Sequence, residues 1–355
     1  MELSKLGLTA FFSEQINNLE DKYKKYTPAR VVLEHKHSYR VVTEQGEWLA
    51  TIAGNFAYNA FAREDYPAVG DWVLVEQMPG EEKAIIHKLL ERKSVFSRKV
   101  AGLEIGEQIV AANVDIVLLV MSLNEDFNIR RLERYLVAAW DSGAKPVIVL
   151  TKADLCKDAT HSVKEVESVA FGVEIIVTSM VTGIGFERLR ELFPEGVTGA
   201  LLGSSGAGKS TLTNVLLGTE RMKVSSIRED DAKGRHTTTH RELVMLSSGG
   251  TLIDTPGMRE LQLWNQSDSL ASSFQDIEQL AGQCRFRDCT HKGEPHCAVQ
   301  QAIDEGMLEK ARLQSYFKLQ RELAYIERKT DIQVKQNEQR KWKQISKGLK
   351  SKRKG

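Results

Sequence analysis

The stretch Leu202 to Leu212, Leu-Gly-Ser-Ser-Gly-Ala-Gly-Lys-Ser-Thr-Leu, constrains this chain more than any other. Gly203, Gly208, Lys209 and Ser210 occupy the defining places of G-x-x-x-x-G-K-[ST], with an apolar run before and a helix-compatible run after. The loop residues Gly203, Ser204, Ser205, Gly206, Ala207 and Gly208 can turn their backbone N–H groups toward a polyphosphate. Lys209 then reaches the β- and γ-phosphates, the Ser210 hydroxyl ligates Mg²⁺, and Thr211 continues a helix whose positive end faces the same anion. A loop of this kind needs a strand behind it and a helix ahead of it, which commits this part of the chain to a doubly wound α/β domain.

The surrounding pattern agrees. Beyond Ser97, apolar runs alternate with helix-spaced segments: strand Val114–Met121, helix Arg130–Trp140 capped at Gly143, strand Pro146–Leu150, helix His161–Phe171, strand Val173–Thr178, helix Gly185–Leu192 and strand Gly199–Leu202. Glu242–Leu246 and Gly250–Asp254 close the series as a hairpin. In such a sheet, ligands sit at the carboxyl ends of the strands. Three more motifs lie there. Asp254-Thr-Pro-Gly257 follows a strand; its aspartate can hold Mg²⁺ and the Gly257 N–H can sense a γ-phosphate. Thr151-Lys152-Ala153-Asp154 resembles the guanine-reading Asn-Lys-x-Asp signature, with threonine in the asparagine place. A carboxylate there accepts two hydrogen bonds from guanine N1 and N2, whereas adenine presents an acceptor at N1 and leaves it unpaired. Thr178-Ser179-Met180 resembles the segment that contacts guanine through its backbone.

The order of these motifs is unusual. Ordinary GTPases place the phosphate loop first and the guanine motifs last; here Thr151–Asp154 and Thr178–Ser179 precede Gly203–Ser210, and Gly234-Arg-His-Thr-Thr-Thr239 and Asp254–Gly257 follow it. Joining the old ends and opening the chain elsewhere preserves every strand neighbour. The site survives a circular permutation.

At 355 residues the chain has room for roughly two or three domains. Residues 1–28 form an arm with a weak helical pattern over Ile16–Tyr26. Across 29–100, short β-rich runs (Ala29–Leu33, Ser38–Thr43, Glu47–Ile52, Trp72–Glu76, Ala84–Lys88) are broken at Gln45-Gly46 and Pro79-Gly80, which suggests a small barrel of the OB type. Arg40, Trp48, Arg63, Arg92 and Arg98 are available there for nucleic acid, or are ordinary barrel residues. The α/β domain takes 101–268. Apolar content of 41% and charged content of 27%, with no run long enough to cross a bilayer and no basic-then-apolar start, predict a cytoplasmic, soluble protein without a membrane partner.

Three of the four cysteines lie between Cys284 and Cys297. That is too clustered for a disulfide framework and suits a metal. Cys284, Cys289, His291 and Cys297 supply a Cys₃His set for one tetrahedral, structural Zn²⁺, with His296 as a possible substitute for His291. Arg285, Arg287 and Lys292 border this loop, where RNA phosphates are natural partners. The metal-binding helical domain spans 269–334. Residues 335–355 form a basic tail with no acid after Glu338, although the whole chain carries only +1.

The permuted order, the small barrel before it and the cysteine–histidine cluster after it closely resemble the ribosome small-subunit-dependent GTPase A (RsgA-type) family, over about residues 30 to 330. The resemblance implies an OB-fold, a permuted GTPase and a zinc-binding C-terminal domain. It implies a monomer that binds the 30S subunit and its 16S rRNA, and GTP hydrolysis stimulated by that subunit in late small-subunit maturation. It favours His291 over His296 as the ligand. The place just after the Asp-x-x-Gly motif, often a water-orienting glutamine, is Met258, so intrinsic turnover should be slow. The resemblance points to His236 as the group acting on the attacking water together with Lys209 on the phosphates, with Arg235 as an alternative, and, among Thr237, Thr238 and Thr239, to Thr238 as an Mg²⁺ ligand beside Ser210 and Asp254, with Thr239 next. Two other readings are a nucleic-acid-stimulated NTPase and an RNA-binding assembly scaffold whose nucleotide only holds the domains together.

Overall fold

Alternating apolar residues on five strands close a barrel. In the computed structural model these are β1 (Thr27–Glu34), β2 (Tyr39–Thr43), β3 (Gly46–Ile52), β4 (Trp72–Gln77) and β5 (Lys83–Leu89), with helix α2 (Gly54–Asn59) after β3 and α1 (Ala10–Asn17) ahead of them all. The structure describes residues 2–35, 38–60, 62–78, 80–99, 107–218, 241–254, 267–325 and 328, in two units, 1–262 and 263–355. The barrel pairing runs β1-β2-β3-β5-β4 and back to β1, with only β3–β5 parallel. This is the OB order. Ala29, Val31, Val41, Ala50, Val73, Val75 and Ile86 fill its interior.

The N-terminal arm is docked rather than loose. Helix α1 reaches only the first two residues of Ile16–Tyr26, and a short 3₁₀ turn, Asp21–Tyr23, follows. Tertiary burial overrides the weak local pattern, because Leu3, Leu6 and Phe12 are buried and the Phe12 ring packs 5.8 Å from that of Trp72. A hairpin of β6 (Val95–Lys99) and β7 (Glu107–Ala112) then straddles the expected boundary near residue 100.

The α/β layer follows: β8 (Ile116–Ser122), α3 (Ile129–Ser142), β9 (Lys145–Thr151), α4 (Ala159–Glu167), β10 (Glu174–Val177), α5 (Phe186–Glu191), β11 (Thr198–Gly203), α6 (Lys209–Leu217), β12 (Glu242–Met245) and β13 (Thr251–Asp254). The spatial order is β10-β9-β8-β11-β13-β12, parallel except for β12. The strand that leads into the phosphate loop, β11, therefore sits between β8, which precedes it in sequence, and β13, which follows it. Leu118, Val120, Val147, Val149, Leu212 and Leu252 form the core under the helices. A bulge in the β1–β2 pairing between Val31 and Leu33 lets β1 also meet β12, at Leu33↔Glu242. Barrel and α/β layer thus share one sheet.

Arg30 is fully buried where these parts meet. Its guanidinium donates to Leu6 O (3.0 Å), Asn113 O (3.3 Å) and Thr198 Oγ1 (3.3 Å), and lies 5.2 Å from the Trp72 ring. Burial pushes its pKa down to about 10 against the pull of Asp115 and Asp71, which leaves it charged at neutral pH.

In the second unit, α7 (Ser267–Ser273), α8 (Gln275–Ala281), α9 (Ala298–Asp304) and a helical stretch over 310–325 pack around Phe274, Ile277, Val299 and Leu313. Arg312, 3% exposed, makes two bonds of 2.9 Å to the Asp276 carboxylate and a third to Ser273 O.

Candidate functional site

Three parallel strands deliver the phosphate loop, the guanine motif and Asp254 to the same edge of the sheet. Gly203 closes β11, and a Cβ there would stand 2.3 Å from Val120 O, so the close approach to β8 demands glycine. Gly208, at φ +98°, gives the left-handed turn that starts α6. The Lys209 ammonium arches back over the loop and donates to Gly203 O (2.7 Å) and Ser204 O (2.6 Å). Ser205 and Gly206 are exposed at the loop's outer turn, Ala207 is buried beneath it, and Ser210 and Thr211 open the helix half-buried. Asp254 ends β13, next to β11.

The threonine that departs from the guanine signature has a clear partner. Thr151 Oγ1, 5% exposed, donates to Ala207 O at 2.6 Å, which ties the guanine segment to the phosphate loop. Lys152 adopts a left-handed conformation (φ 59°), and Ala153 N–H then bonds Thr178 O at 3.1 Å. Strain of this kind persists where the surroundings over-determine it. Ser179 Oγ donates to Asp154 Oδ1 at 2.6 Å and accepts from the N–H groups of Val181 and Thr182 (3.2 and 3.3 Å). One carboxylate oxygen is thereby oriented by the protein, and Thr178 and Ser179 are both almost fully buried.

Asp126 escaped the sequence reading. It lies in the loop after β8, accepts the Ser204 hydroxyl of the phosphate loop, and accepts Arg131 Nη1 at 2.7 Å. Burial raises its pKa, but the Ser204 hydroxyl and the Arg131 guanidinium outweigh this and hold the carboxyl below its usual range. The available signal was topological. Once β8 is placed beside β11, the loop that follows it must lie at the phosphate end. Gly234, Arg235, His236, Thr237, Thr238, Thr239, Gly257, Met258 and the tail 335–355 lie outside the described residues.

In the second unit, the Cys284 and Cys297 sulfurs are 3.8 Å apart, and His291 Nδ1 lies 3.6 Å from the first and 3.4 Å from the second. With Cys289, all four donor atoms fall within 4.8 Å of one another. A tetrahedral zinc with bonds of about 2.3 Å to sulfur needs S···S edges of about 3.8 Å, so this donor set fits the ion. His291 reaches inward from a left-handed backbone (φ 58°), and Gln300 Nε2 donates to its carbonyl at 2.5 Å. Cys297 caps α9, its sulfur accepting Gln300 N–H at 3.5 Å, and its neighbours Ala298 and Val299 donate toward Cys284. Burial opposes ionisation of Cys284, but those two N–H groups pull its pKa below the ordinary thiol value.

On the barrel, most of the basic and aromatic residues considered for nucleic acid are engaged within the protein. Arg40 pairs with Glu47 at 2.8 Å, Trp48 packs on the barrel core and donates to Thr43 Oγ1, and Arg92 grips Asp71 and the carbonyls of Glu64 and Tyr66. Arg63 lies near Glu34, and the Arg98 side chain falls outside the described residues. The aromatic surface lies elsewhere: Tyr26 stacks on His87 at 4.0 Å, with Lys25 over Tyr26 and Lys88 over Tyr23.

The RsgA GTPase family model matches residues 89–264, which hold every guanine and phosphate motif named above. An ABC transporter model matches residues 187–352, a span that includes the same phosphate loop. The chain is 49% identical over 319 residues to small ribosomal subunit biogenesis GTPase RsgA 1 of Oceanobacillus iheyensis, covering 90% of this chain and 91% of that protein. It is 46% identical over 352 residues to small ribosomal subunit biogenesis GTPase RsgA 1 of Listeria innocua, covering 99% and 98%. Among solved structures it resembles YjeQ from Thermotoga maritima, with a TM-score of 0.63 and 28% identity over 84% of this chain and 98% of that one. It shares the fold of YloQ, a circularly permuted GTPase, with a TM-score of 0.60 and 23% identity over 88% and 98%.

Proposed function

The chain belongs to the RsgA GTPase family and is a GTP hydrolase, and from that premise we propose that it binds the small (30S) ribosomal subunit through 16S rRNA and hydrolyses GTP to GDP and phosphate there, late in subunit maturation, with the subunit stimulating hydrolysis. The observation that carries this reading is the Thr151–Ala207 bond beside the Ser179–Asp154 bond. Base selection and phosphate binding are built as one piece.

In the proposed mechanism Asp154 accepts guanine N1 and N2 donors while Thr151, Lys152, Ala153, Thr178 and Ser179 frame the base. The N–H groups from Gly203 to Thr211 hold the phosphates, and Lys209 turns from its loop carbonyls onto the β- and γ-oxygens. Mg²⁺ bound by Ser210, Thr238 and Asp254 would offset charge on the β- and γ-phosphates. Gly257 N–H contacts the γ-phosphate and His236 orients the attacking water. With methionine at 258, the place just after the Asp-x-x-Gly motif carries no glutamine for that task, which gives the ribosomal partner a reason to complete the site. Cys284, Cys289, His291 and Cys297 would hold one Zn²⁺ in a closed, structural site. The protein works as a cytoplasmic monomer.

The test is GTP hydrolysis by the purified protein with and without 30S subunits, with ATP and 50S subunits as controls. Stimulation of about tenfold or more, confined to GTP and 30S, is expected. Equal weak turnover under all conditions would leave only a nucleotide-binding scaffold.

A further inference from the structure

Beside the metal loop, the second unit holds a concave groove of about 580 Å³. That volume falls in the range of about 300–1,000 Å³ typical of sites for single small molecules. One wall is the loop itself, with Phe286, Arg287 and Lys292; the other is the 310–325 helix, with Tyr316, Phe317 and Arg321. Arg287, Lys292 and Arg321 are all exposed, and none is paired with a carboxylate among the described residues. Two of the nearby acids, Glu278 and Glu294, are engaged elsewhere. Glu278 accepts the Tyr316 hydroxyl at 2.9 Å, and Glu294 accepts Thr290 N–H and Oγ1 and Lys292 N–H within the loop. The aromatic residues are placed differently from core rings. Phe286 remains 44% exposed with the Arg285 guanidinium 5.8 Å from its centre, and Lys292 Nζ stands 5.8 Å from the Phe317 ring.

From this arrangement we infer that the groove is a single-stranded RNA subsite, in which an unpaired base stacks on Phe286 and its flanking phosphates meet Arg287, Lys292 and Arg321. Three uncompensated cations select a polyanion, and a solvent-facing ring among them suits a base, which every single-stranded nucleotide supplies. A duplex keeps its bases stacked inside and offers such a ring nothing. An acidic or phosphorylated peptide would satisfy the cations and leave Phe286 without a partner. A metal held by Cys284, Cys289, His291 and Cys297 would tie the two ends of the loop wall and hold Phe286 and Arg287 in place before RNA arrives. This inference rests on the proposed ribosomal function and narrows it to one surface.

The test is fluorescence anisotropy of the full-length, zinc-loaded protein with a labelled 12-nucleotide oligouridylate and with an RNA duplex of equal length, over a series of salt concentrations. Phe286→Ala should weaken oligouridylate binding roughly tenfold and leave the duplex unchanged. Arg287→Ala and Arg321→Ala should each weaken it roughly fivefold and lower the salt slope by about one. The basic tail adds the same background to every variant. All three side chains are exposed, and metal content with circular dichroism verifies that each variant is folded. Variants that bind oligouridylate as the unaltered protein does would overturn the inference, and so would a phosphorylated peptide that binds in the groove while oligouridylate does not. In parallel, 30S binding is measured on the same samples. If the unaltered protein ignores 30S subunits while the three variants lose oligouridylate, the groove stands and the ribosomal reading falls; if 30S binds and the variants keep oligouridylate, the groove alone falls.

Discussion

At the scale of single residues, Thr151 explains how a departure from the guanine signature is accommodated. Its hydroxyl donates to Ala207 O at 2.6 Å from a buried position, so the strand that carries Asp154 also braces the phosphate loop. Thr151→Val removes that bond and leaves the carbonyl unpaired, which costs about 1 kcal/mol or more. Calorimetry should show GDP binding about fivefold to tenfold weaker, with the preference for guanine over xanthine unchanged. Asp154→Asn should act on the base instead, weakening GTP by roughly a hundredfold or more and improving xanthosine triphosphate. Equal losses for both nucleotides would contradict the assigned reading of the base. Asp126 provides a pH test. Its carboxyl is held below the usual range in the folded protein, so the contribution of its bonds is present above the unfolded value of about 3.9 and is lost as pH falls through the folded one. Asp126→Asn should therefore weaken GDP binding by a constant factor between pH 8 and pH 6, with the difference from the unaltered protein shrinking only in acid. A difference that disappears between pH 8 and pH 6 would assign the effect to another group.

At the scale of elements, legibility followed burial pattern. The strands of the α/β layer were readable because a strand buried on both faces is a continuous apolar run: Val114–Met121 anticipates β8, and Pro146–Leu150 anticipates β9. The five barrel strands were readable from alternation and turn residues. The arm was not, because Phe12 and Leu6 are fixed by Trp72 and other distant parts of the chain rather than by helical spacing. The β6–β7 hairpin was missed for the same reason, since its strands pair with each other and are held by distant residues such as Val69 and Arg241. In the site, the phosphate loop and the cysteine cluster were legible because spacing alone specifies them, whereas Asp126 required the spatial order of strands. The metal cluster carries its own prediction. Cys297 is both a proposed ligand and the cap of α9, so Cys297→Ser should release the metal and fray that helix. Elemental analysis should fall from about one zinc per chain to near none, and hydrogen exchange should rise over 284–304, because such ions contribute folding energy directly. Slow intrinsic GTP turnover should persist, since every residue proposed to hold the nucleotide lies in the first unit. Unchanged metal content would mean that the cluster is not the binding site.

For the whole molecule, permutation sets what must be held together. With the chain entering the α/β layer at β8, the barrel is joined to it in sequence only through the β6–β7 hairpin, and in space through β1–β12. Arg30 adds a further tie, on the barrel strand itself. It bonds the carbonyl of Leu6 in the arm, the carbonyl of Asn113 ahead of β8, and the hydroxyl of Thr198 at the start of β11. Both β8 and β11 begin there, and the parallel strands run away from it, so this buried cation sits at the end of the sheet opposite the nucleotide loops. Its fork of donors satisfies three separate segments at once, which a lysine cannot do. Arg30→Met would leave the Leu6 and Asn113 carbonyls unpaired in the interior, while the Thr198 hydroxyl keeps Thr251 Oγ1, a loss of about 2–4 kcal/mol. At roughly 2–4 °C per kcal/mol for a unit of this size, melting of the first unit should fall by about 5–10 °C. Arg30→Lys keeps the charge but not the fork and should fall between the two. Hydrogen exchange should rise first in residues 3–17, and nucleotide affinity at 25 °C should stay within about twofold, because the phosphate loop lies at the other end of β11. A variant that melts normally with a protected arm would show that the barrel and hairpin suffice without the buried cation.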